Sequence, residues 1–388
     1  MKTYNAMQIA MTILTVLLGT TALPAQSPFA TTVIDFTPAP GQFVNDNLYN
    51  DPAIALGRPY GGGFTDSGMS SLVSLGGFGG SITLGFDHTV LDDPANPFGL
   101  DAIVYGNAIW VGANPNRRWA ECGHIEISQD VNSNSLADDP WYLIPGSHIG
   151  QIGMPADQLE IQVWDDNIAD PTWPPEDEYW IPPGNSGTWS TSAFRLPPEV
   201  FETVIVENPN GPDATEEGIF GYADYTPTLK LGDLDGDNIV DDPDMLPEEF
   251  YPRPDDPLAV GLTLTCGGGD AFDIAWAIDP ITAEPANLAG FDFIRITTAV
   301  NLVILMPPPP LNELSTEIDA VVDVAEGSLG DMENDGDIDL DDLDAFMNCL
   351  TWPGEPLPSG RCRVMDFDLD GDLDLNDLAY FQASFTGS

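Results

Sequence analysis

The sequence predicts a mainly β protein, an antiparallel β-sandwich of jelly-roll-like type, with a small α-helical domain at its C-terminus. Three observations predict it. Short alternating or apolar segments recur from Val33 to about Val324, with Gly, Pro, Asn and Asp clusters between them. Helical periodicity is nearly absent over that stretch. Beyond Glu326 to Leu329 the period-two pattern gives way to paired loop-helix units.

In chain order, residues 1–25 have the layout of a signal peptide. Lys2 leads into an uncharged, mostly apolar run from Ala6 to Leu18 and then into small residues, with cleavage expected near Ala22 or Ala25. No segment approaches ~20 apolar residues, so no membrane span is expected in the mature chain. The expected location is extracellular, either secreted or at the cell surface. Residues 26–326 form the β domain. Its strand candidates are Ser81 to Phe86, Ala102 to Tyr105, His124 to Ser128, Glu160 to Trp164, Phe201 to Val206, Ala271 to Ala277, Phe291 to Thr298 and Glu317 to Val324. The Gly76 to Gly80 run reads as a tight strand connection. Asp165 to Pro198 reads as a long ordered excursion, and the prolines of Met306 to Pro310 as a loop. Residues 327–388 form the helical domain.

Charge narrows the partners. Ten basic residues face 63 acidic ones, for a formal net charge of −53, and apart from Lys2 the only lysine is Lys230. Such a field repels phosphate backbones and anionic lipid, which argues against nucleic acid and membrane surfaces and favours cations. The same composition also suits an acidic surface that simply faces solvent. The four cysteines lack C-x-x-C spacing and suggest disulfides, a local Cys349–Cys362 bridge and a long-range Cys122–Cys266 staple.

The chemistry concentrates in spaced acids. In the C-terminal domain Asp366, Asp368, Asp370, Asp374 and Asp377 stand at positions 1, 3, 5, 9 and 12 of a twelve-residue loop, with Gly371 at the bend and the Asp372 carbonyl at position 7. A loop winding around a hard cation presents donors in that order. An earlier copy supplies Asp331, Glu333, Asp335, the Asp337 carbonyl, Asp339 and Asp342, with Gly336 at the bend. Each loop runs into an amphipathic helix, whose expected apolar faces are Leu340, Leu343, Phe346 and Leu350, then Leu375, Leu378, Phe381 and Phe385.

Two loops in the body follow a cruder version of this design. Asp233, Asp235, Asp237, Asn238, Asp241 and Asp242 align by spacing with Asp130, Asn132, Asn134, Ser135, Asp138 and Asp139. Asn238 and Ser135 take the bend, where Asn tolerates a left-handed backbone better than Ser. Donors that are all oxygens point to calcium (Ca2+) as the cofactor rather than zinc. A solvated turn accounts for the first of these loops less well than for the second, where an Asn-rich hairpin is a close competitor.

The duplicated loop-helix unit resembles a type I dockerin from about residue 331 to the C-terminus. That resemblance implies two calcium ions and docking to a cohesin-like or other surface partner. Loop positions 10 and 11 here are Leu340 and Asp341, then Leu375 and Asn376, where dockerins often carry a small hydroxyl pair. In the body, Leu75 to Phe86, Asp101 to Ala108, Phe220 to Asp237, Gly268 to Ala277 and Ser315 to Val321 resemble stretches of bacterial secreted and cell-surface proteins. That likeness implies a β-sandwich and a location, without an activity.

No catalytic residue is assigned. His88, His124 and His148 sit in no nucleophile or zinc motif, and no G-x-S-x-G occurs. The expected function is therefore a secreted, calcium-binding, non-catalytic cell-surface or matrix module with an association tail. The alternative is a polysaccharide-active enzyme, acting like a glycoside hydrolase, or a carbohydrate-binding subunit. For it, Trp164, Trp173, Trp180 and Trp189 would stack on sugar rings, and Glu121 or Asp270 with Asp273 would be the first acids to consider.

Overall fold

The computed structural model describes residues 27–39, 41, 43–44, 46–65, 71–94, 96–114, 117–146, 162–165, 188–191, 205–207, 221–254, 266–299, 315–324, 338, 340–351, 353, 365 and 373–385. Within them the protein is mainly β, with antiparallel sheets and few helices. In chain order the strands are β1 (Thr32–Thr37), β2 (Val73–Ser74), β3 (Ser81–Leu91), β4 (Ala102–Tyr105), β5 (Ile109–Trp110), β6 (Arg117–Trp119), β7 (Gly123–Ser128) and β8 (Tyr142–Leu143). They continue as β9 (Gln162–Asp165), β10 (Thr188–Thr191), β11 (Ile205–Glu207), β12 (Tyr222–Ala223), β13 (Asp270–Phe272), β14 (Gly290–Thr298), β15 (Glu317–Ile318) and β16 (Ala320–Asp323). The helices are α1 (Pro247–Phe250), α2 (Leu340–Cys349) and α3 (Leu375–Ser384). Among the described residues, no helix is long and apolar enough to cross a membrane.

The largest sheet runs β1-β3-β14-β7-β12, with β8 also beside β7. Alternation explains its inner face, because successive side chains of a strand point to opposite sides. Register sets Ile82, Ile296 and Ile125 in one transverse row and Leu84, Ile294 and Ile127 in the next. All six are fully buried. They share one core with Ala102, Val104, Phe272 and Val321 of the β13-β4-β16 sheet and with Val73 and Ile318 of the β15-β2 pair. Ile294→Ala should therefore cost about 2–5 kcal/mol of unfolding free energy in urea titration. A loss under about 1 kcal/mol would mean that these rows are loosely packed.

The β4 and β16 strands are buried on both faces. Ile103, Tyr105, Ala320 and Val322 point away from the first core into a second one, which they share with Phe29, Leu229, Met245, Phe250 and Tyr251. Double burial is why Ala102 to Tyr105 reads as an unbroken apolar run instead of an alternating one.

Buried polar side chains tie distant loops to the segment 315–319. Ser315 Oγ lies 2.6 Å from Ser74 Oγ and accepts from the Gly76 N–H at 2.8 Å. Thr316 Oγ1 donates to the Glu121 carbonyl at 2.6 Å. The Asn107 amide donates to the Glu317 carboxylate. Asp319 accepts from the Tyr60 N–H at 2.9 Å and the Gly61 N–H at 3.0 Å. Gly61 has φ +75°, and a Cβ there would stand 2.0 Å from the Leu229 carbonyl oxygen, so only glycine fits this approach.

Three expectations change. The Ala271 to Ala277 strand stops at Phe272, because Asp273 caps a 3-10 turn at Ile274–Trp276 by accepting from the Ala275 N–H at 2.7 Å. The Cys122–Cys266 staple is not formed. Both side chains are buried thiols, and Cys266 Sγ lies 3.5 Å from the Pro254 carbonyl oxygen. A bridge needs Cα atoms within about 7 Å and converging Cβ vectors, which sequence spacing cannot reveal. Cys349 is disulfide-bonded. Cys362, its expected partner, lies outside the described residues, as do Met306 to Pro310. Between α2 and α3, Leu343, Phe346, Leu378 and Phe381 do pack together with Ile338, Met365 and Leu373. Leu340, Leu350 and Leu375 do not: they are 66%, 39% and 74% exposed, whereas Phe385, 40% exposed, meets the Phe381 ring edge-on. Two ten-residue helices meet along their middles, and their end residues lie beyond the contact.

Candidate metal centre

The loop beginning at Asp233 is drawn closed by its own backbone. The Gly232 carbonyl accepts from the Asp241 N–H at 2.8 Å and the Asp242 N–H at 2.9 Å. Inside the ring, buried Asp233 accepts from the Gly236 N–H at 2.8 Å and the Asn238 N–H at 3.0 Å. Asp235 accepts from the Asp237 N–H at 3.2 Å and Asp237 from the Ile239 N–H at 2.8 Å. Asn238 makes the bend at φ 71°. The loop is held to the body by Leu231, Leu234 and Met245, which join the second core, and by the Phe64 ring packed on Gly236.

This winding brings a carboxylate oxygen from each of Asp233, Asp235 and Asp237 within 4.8 Å of one another. Burial pushes the Asp233 carboxyl up, and the Asp237 and Asp235 charges add to that against the two N–H bonds. A hard cation at this point would relieve all three repulsions at once. Asp241 and Asp242 do not join the cluster. Asp241 accepts from the Leu234 N–H at 3.1 Å, and Asp242 from the Asp244 N–H at 3.0 Å.

The loop between β7 and β8 repeats the backbone pattern. Asp130 accepts from the Asn134 N–H at 3.0 Å and the Ser135 N–H at 2.7 Å, and Asn134 accepts from the Leu136 N–H at 2.8 Å. Ser135 sits at φ 61° although it is a poorer left-handed residue than Asn, and Ser133 does the same at φ 56°. Its charge balance differs. The Asn134 amide nitrogen lies 3.2 Å from Asp138, and the Asn132 nitrogen lies 3.4 Å from Asp138 and 3.3 Å from Asp139. Amide donors thus occupy the side of these acids that a cation would take, and chelation here requires both amides to turn their oxygens inward.

Of the acids expected in the two C-terminal loops, Asp331, Glu333, Asp335, Asp337, Asp339, Asp366, Asp368, Asp370 and Asp372 lie outside the described residues. The described ones are Asp342, Asp374 and Asp377. Asp342 and Asp377, the two position-12 acids, are buried. Asp374 caps α3 by accepting from the Asn376 N–H at 2.7 Å, and Asp377 accepts from the Asp374 N–H at 2.9 Å. Ile338 and Leu373 hold the same position in their loops and are both buried, a matched offset that spacing alone contains.

Spacing missed a second acidic cluster. Carboxylate oxygens of Asp92, Asp101 and Asp273 lie within 4.8 Å of one another. Burial pushes the Asp101 carboxyl up to about 6, although it accepts from the Asp93 N–H at 2.9 Å, the Ile274 N–H at 2.8 Å and the Asn96 amide at 3.1 Å. Burial raises Asp273 too, and the Asp92 charge adds to it. Asp270, the other acid of interest, parts from Asp273. It accepts from the Tyr225 N–H at 2.7 Å and is pushed up to about 7 by burial. Nearby, fully buried Arg118 donates to the Tyr225 carbonyl at 3.1 Å and lies over the Tyr225 ring. Asp224 accepts from the N–H groups of Asn107 at 2.9 Å, Ala108 at 3.0 Å and Glu317 at 3.1 Å. These carboxylates are engaged in holding backbone, and Glu121 is likewise a buried acid.

Trp164 and Trp189 stand directly opposite each other in the β9–β10 pair, while Trp173 and Trp180 lie outside the described residues. His124 is buried on β7 beside Tyr222, and His148 lies outside the described residues. No protein-family model matches the chain, and no curated protein does.

Proposed function

We propose that the protein is a secreted, calcium-binding, non-catalytic module of the cell surface or extracellular matrix, a calcium-stabilised β-sandwich at residues 26–326 with a dockerin-like association tail at 327–388. The convergence of Asp233, Asp235 and Asp237 around the left-handed bend at Asn238 carries this reading. Three acids in chelating order, one of them buried, are the carboxylate part of the oxygen set that a calcium ion takes, with carbonyls and waters to complete it. The core that the largest sheet shares with the β13-β4-β16 sheet and the β15-β2 pair supports the sandwich. The burial of Asp342 and Asp377 at equivalent positions, in the first turns of helices that pack together, supports the paired loops of the tail, through which a cohesin-like or other surface partner would dock.

Calcium bound per chain, measured by elemental analysis after dialysis in millimolar calcium, tests it. The pair Asp235→Ala and Asp237→Ala, both on exposed residues, should bind one ion fewer than the wild type. Equal calcium in the two proteins removes the body loop from the proposal, and a metal-free wild type removes the whole of it.

The second reading is a carbohydrate-binding subunit or polysaccharide-active enzyme delivered by the same tail. The Trp164–Trp189 pair supports it, since aromatic faces stack on sugar rings. A glycan array together with a reducing-sugar assay separates the two readings.

A further inference from the structure

His88 lies between two acids. Its Nδ1 is 2.8 Å from Asp87 Oδ1 and its Nε2 is 2.8 Å from Asp323 Oδ2. An ionised carboxylate only accepts hydrogen bonds, and a neutral imidazole has a single N–H to give. Both contacts are satisfied together by the imidazolium, and loss of its proton leaves one carboxylate facing a ring lone pair.

Each of the two acids also touches the chain segment Ser27 to Thr31. The Ser27 N–H points to Asp87 Oδ2 at 3.5 Å, and the Asp323 N–H donates to the Pro28 carbonyl at 2.7 Å. Beyond them the Ala30 N–H donates to Val321 at 2.9 Å and the Thr31 N–H to Gly85 at 2.9 Å, so the segment passes from β16 to β3. Phe29 and Ala30 are buried, one in each core.

We propose that His88 is a proton-operated latch that fastens the Ser27–Thr31 arm between β3 and β16, closed when the imidazole is charged and loosened when it is neutral. Asp323 spans the two sheets, whereas Asp87 is the chain neighbour of His88, so the Asp323 contact is the one that holds elements together. Among the described residues, the charged groups facing the ring are Asp87 from β3 and Asp323 from β16. Phe86 meets the ring edge-on, and Asp292 of β14 is engaged by Thr89 Oγ1 at 2.6 Å. The Asp323 bond raises the imidazole above its ordinary value, opposed by burial and helped by Asp87. A folded value above the unfolded one makes the latch fully effective below the unfolded value of about 6.5, and lost as pH rises through the folded one.

Amide hydrogen exchange at Ala30 and Asp323 tests this, expressed relative to the core amide of Ile294 and corrected for intrinsic pH dependence, at constant calcium. Between about pH 6 and pH 9 the relative exchange should speed up several-fold in the wild type and clearly less in His88→Gln. Equal acceleration in both proteins overturns the latch. Should His88→Gln fail to fold, the ring protons of His88 provide the second test. Their titration should lie above the ordinary histidine value in the wild type and fall in Asp323→Asn. A wild-type titration at or below that ordinary value overturns it.

Discussion

Adding calcium to the metal-free protein should raise its melting temperature by several degrees, and magnesium should do so much less. Extracellular calcium sites dissociate at about 10⁻⁴ to 10⁻³ M. At ~10 mM calcium each site then adds about 1.4 to 2.7 kcal/mol to the folded state. The body loop should respond because Asp233 is buried beside two further carboxylates and held in place by Gly236 and Asn238. Magnesium dehydrates reluctantly and demands a tight octahedron, which a winding loop of many oxygens does not supply. In the double variant Asp235→Ala, Asp237→Ala the calcium-dependent rise should shrink by the share of one site. Coincident calorimetric melts with calcium and with chelator would exclude structural metal.

In calcium-free buffer, the unfolding free energy should rise as pH is lowered from about 8 to about 5. Burial places the Asp101 carboxyl at about 6 and those of Asp270 and Asp319 at about 7, against an ordinary 3.8. Burial, and then the charge of Asp224, raises Glu317, and burial, with the nearby Asp270 charge, raises Asp224. Between these limits the folded chain binds more protons than the unfolded one, so stability is present at the acidic end and lost as pH climbs through the folded values. Asp319→Asn should flatten the dependence by up to about 1.4 kcal/mol per pH unit within its window, the contribution of one proton. The measurement is a set of urea titrations at stepped pH. A profile that is level, or highest above pH 8, would mean that these acids keep ordinary values.

How much of this was legible depended on where the partners lie in the chain. The rows built on Ile82, Ile125 and Ile294 were readable, because period-two alternation is a local signal. The convergence of Asp233, Asp235 and Asp237 was readable too, since spacing alone orders them, whereas Asp241 and Asp242, read as donors with them, turn to backbone N–H groups instead. The left-handed Ser135 was the part of the second loop that residue type opposed. It holds there because Asp130 accepts its N–H. The Asp92, Asp101 and Asp273 cluster was not legible, since the β4–β13 pairing brings Asp273 beside Asp101, and the Asp93 N–H bond to Asp101 brings the Asp92 segment there. His88 was passed over for the same reason: Asp323 is 235 positions away. Alternation also misled at Ile274, whose N–H goes to Asp101 and leaves the strand.

The segment from Ser315 to Asp319 reaches back to residues near 60, 75, 107 and 121. Until it arrives, the donors and acceptors it will satisfy have no mate, and the interior they belong to cannot close without stranding them. The body is therefore a structure completed from its far end. Synthesis of its first three hundred positions should yield a loosely ordered chain, and closure should be slow because it joins segments so widely separated along the polymer. A fragment ending before Ser315 is expected to lack the protected core amides of the whole protein.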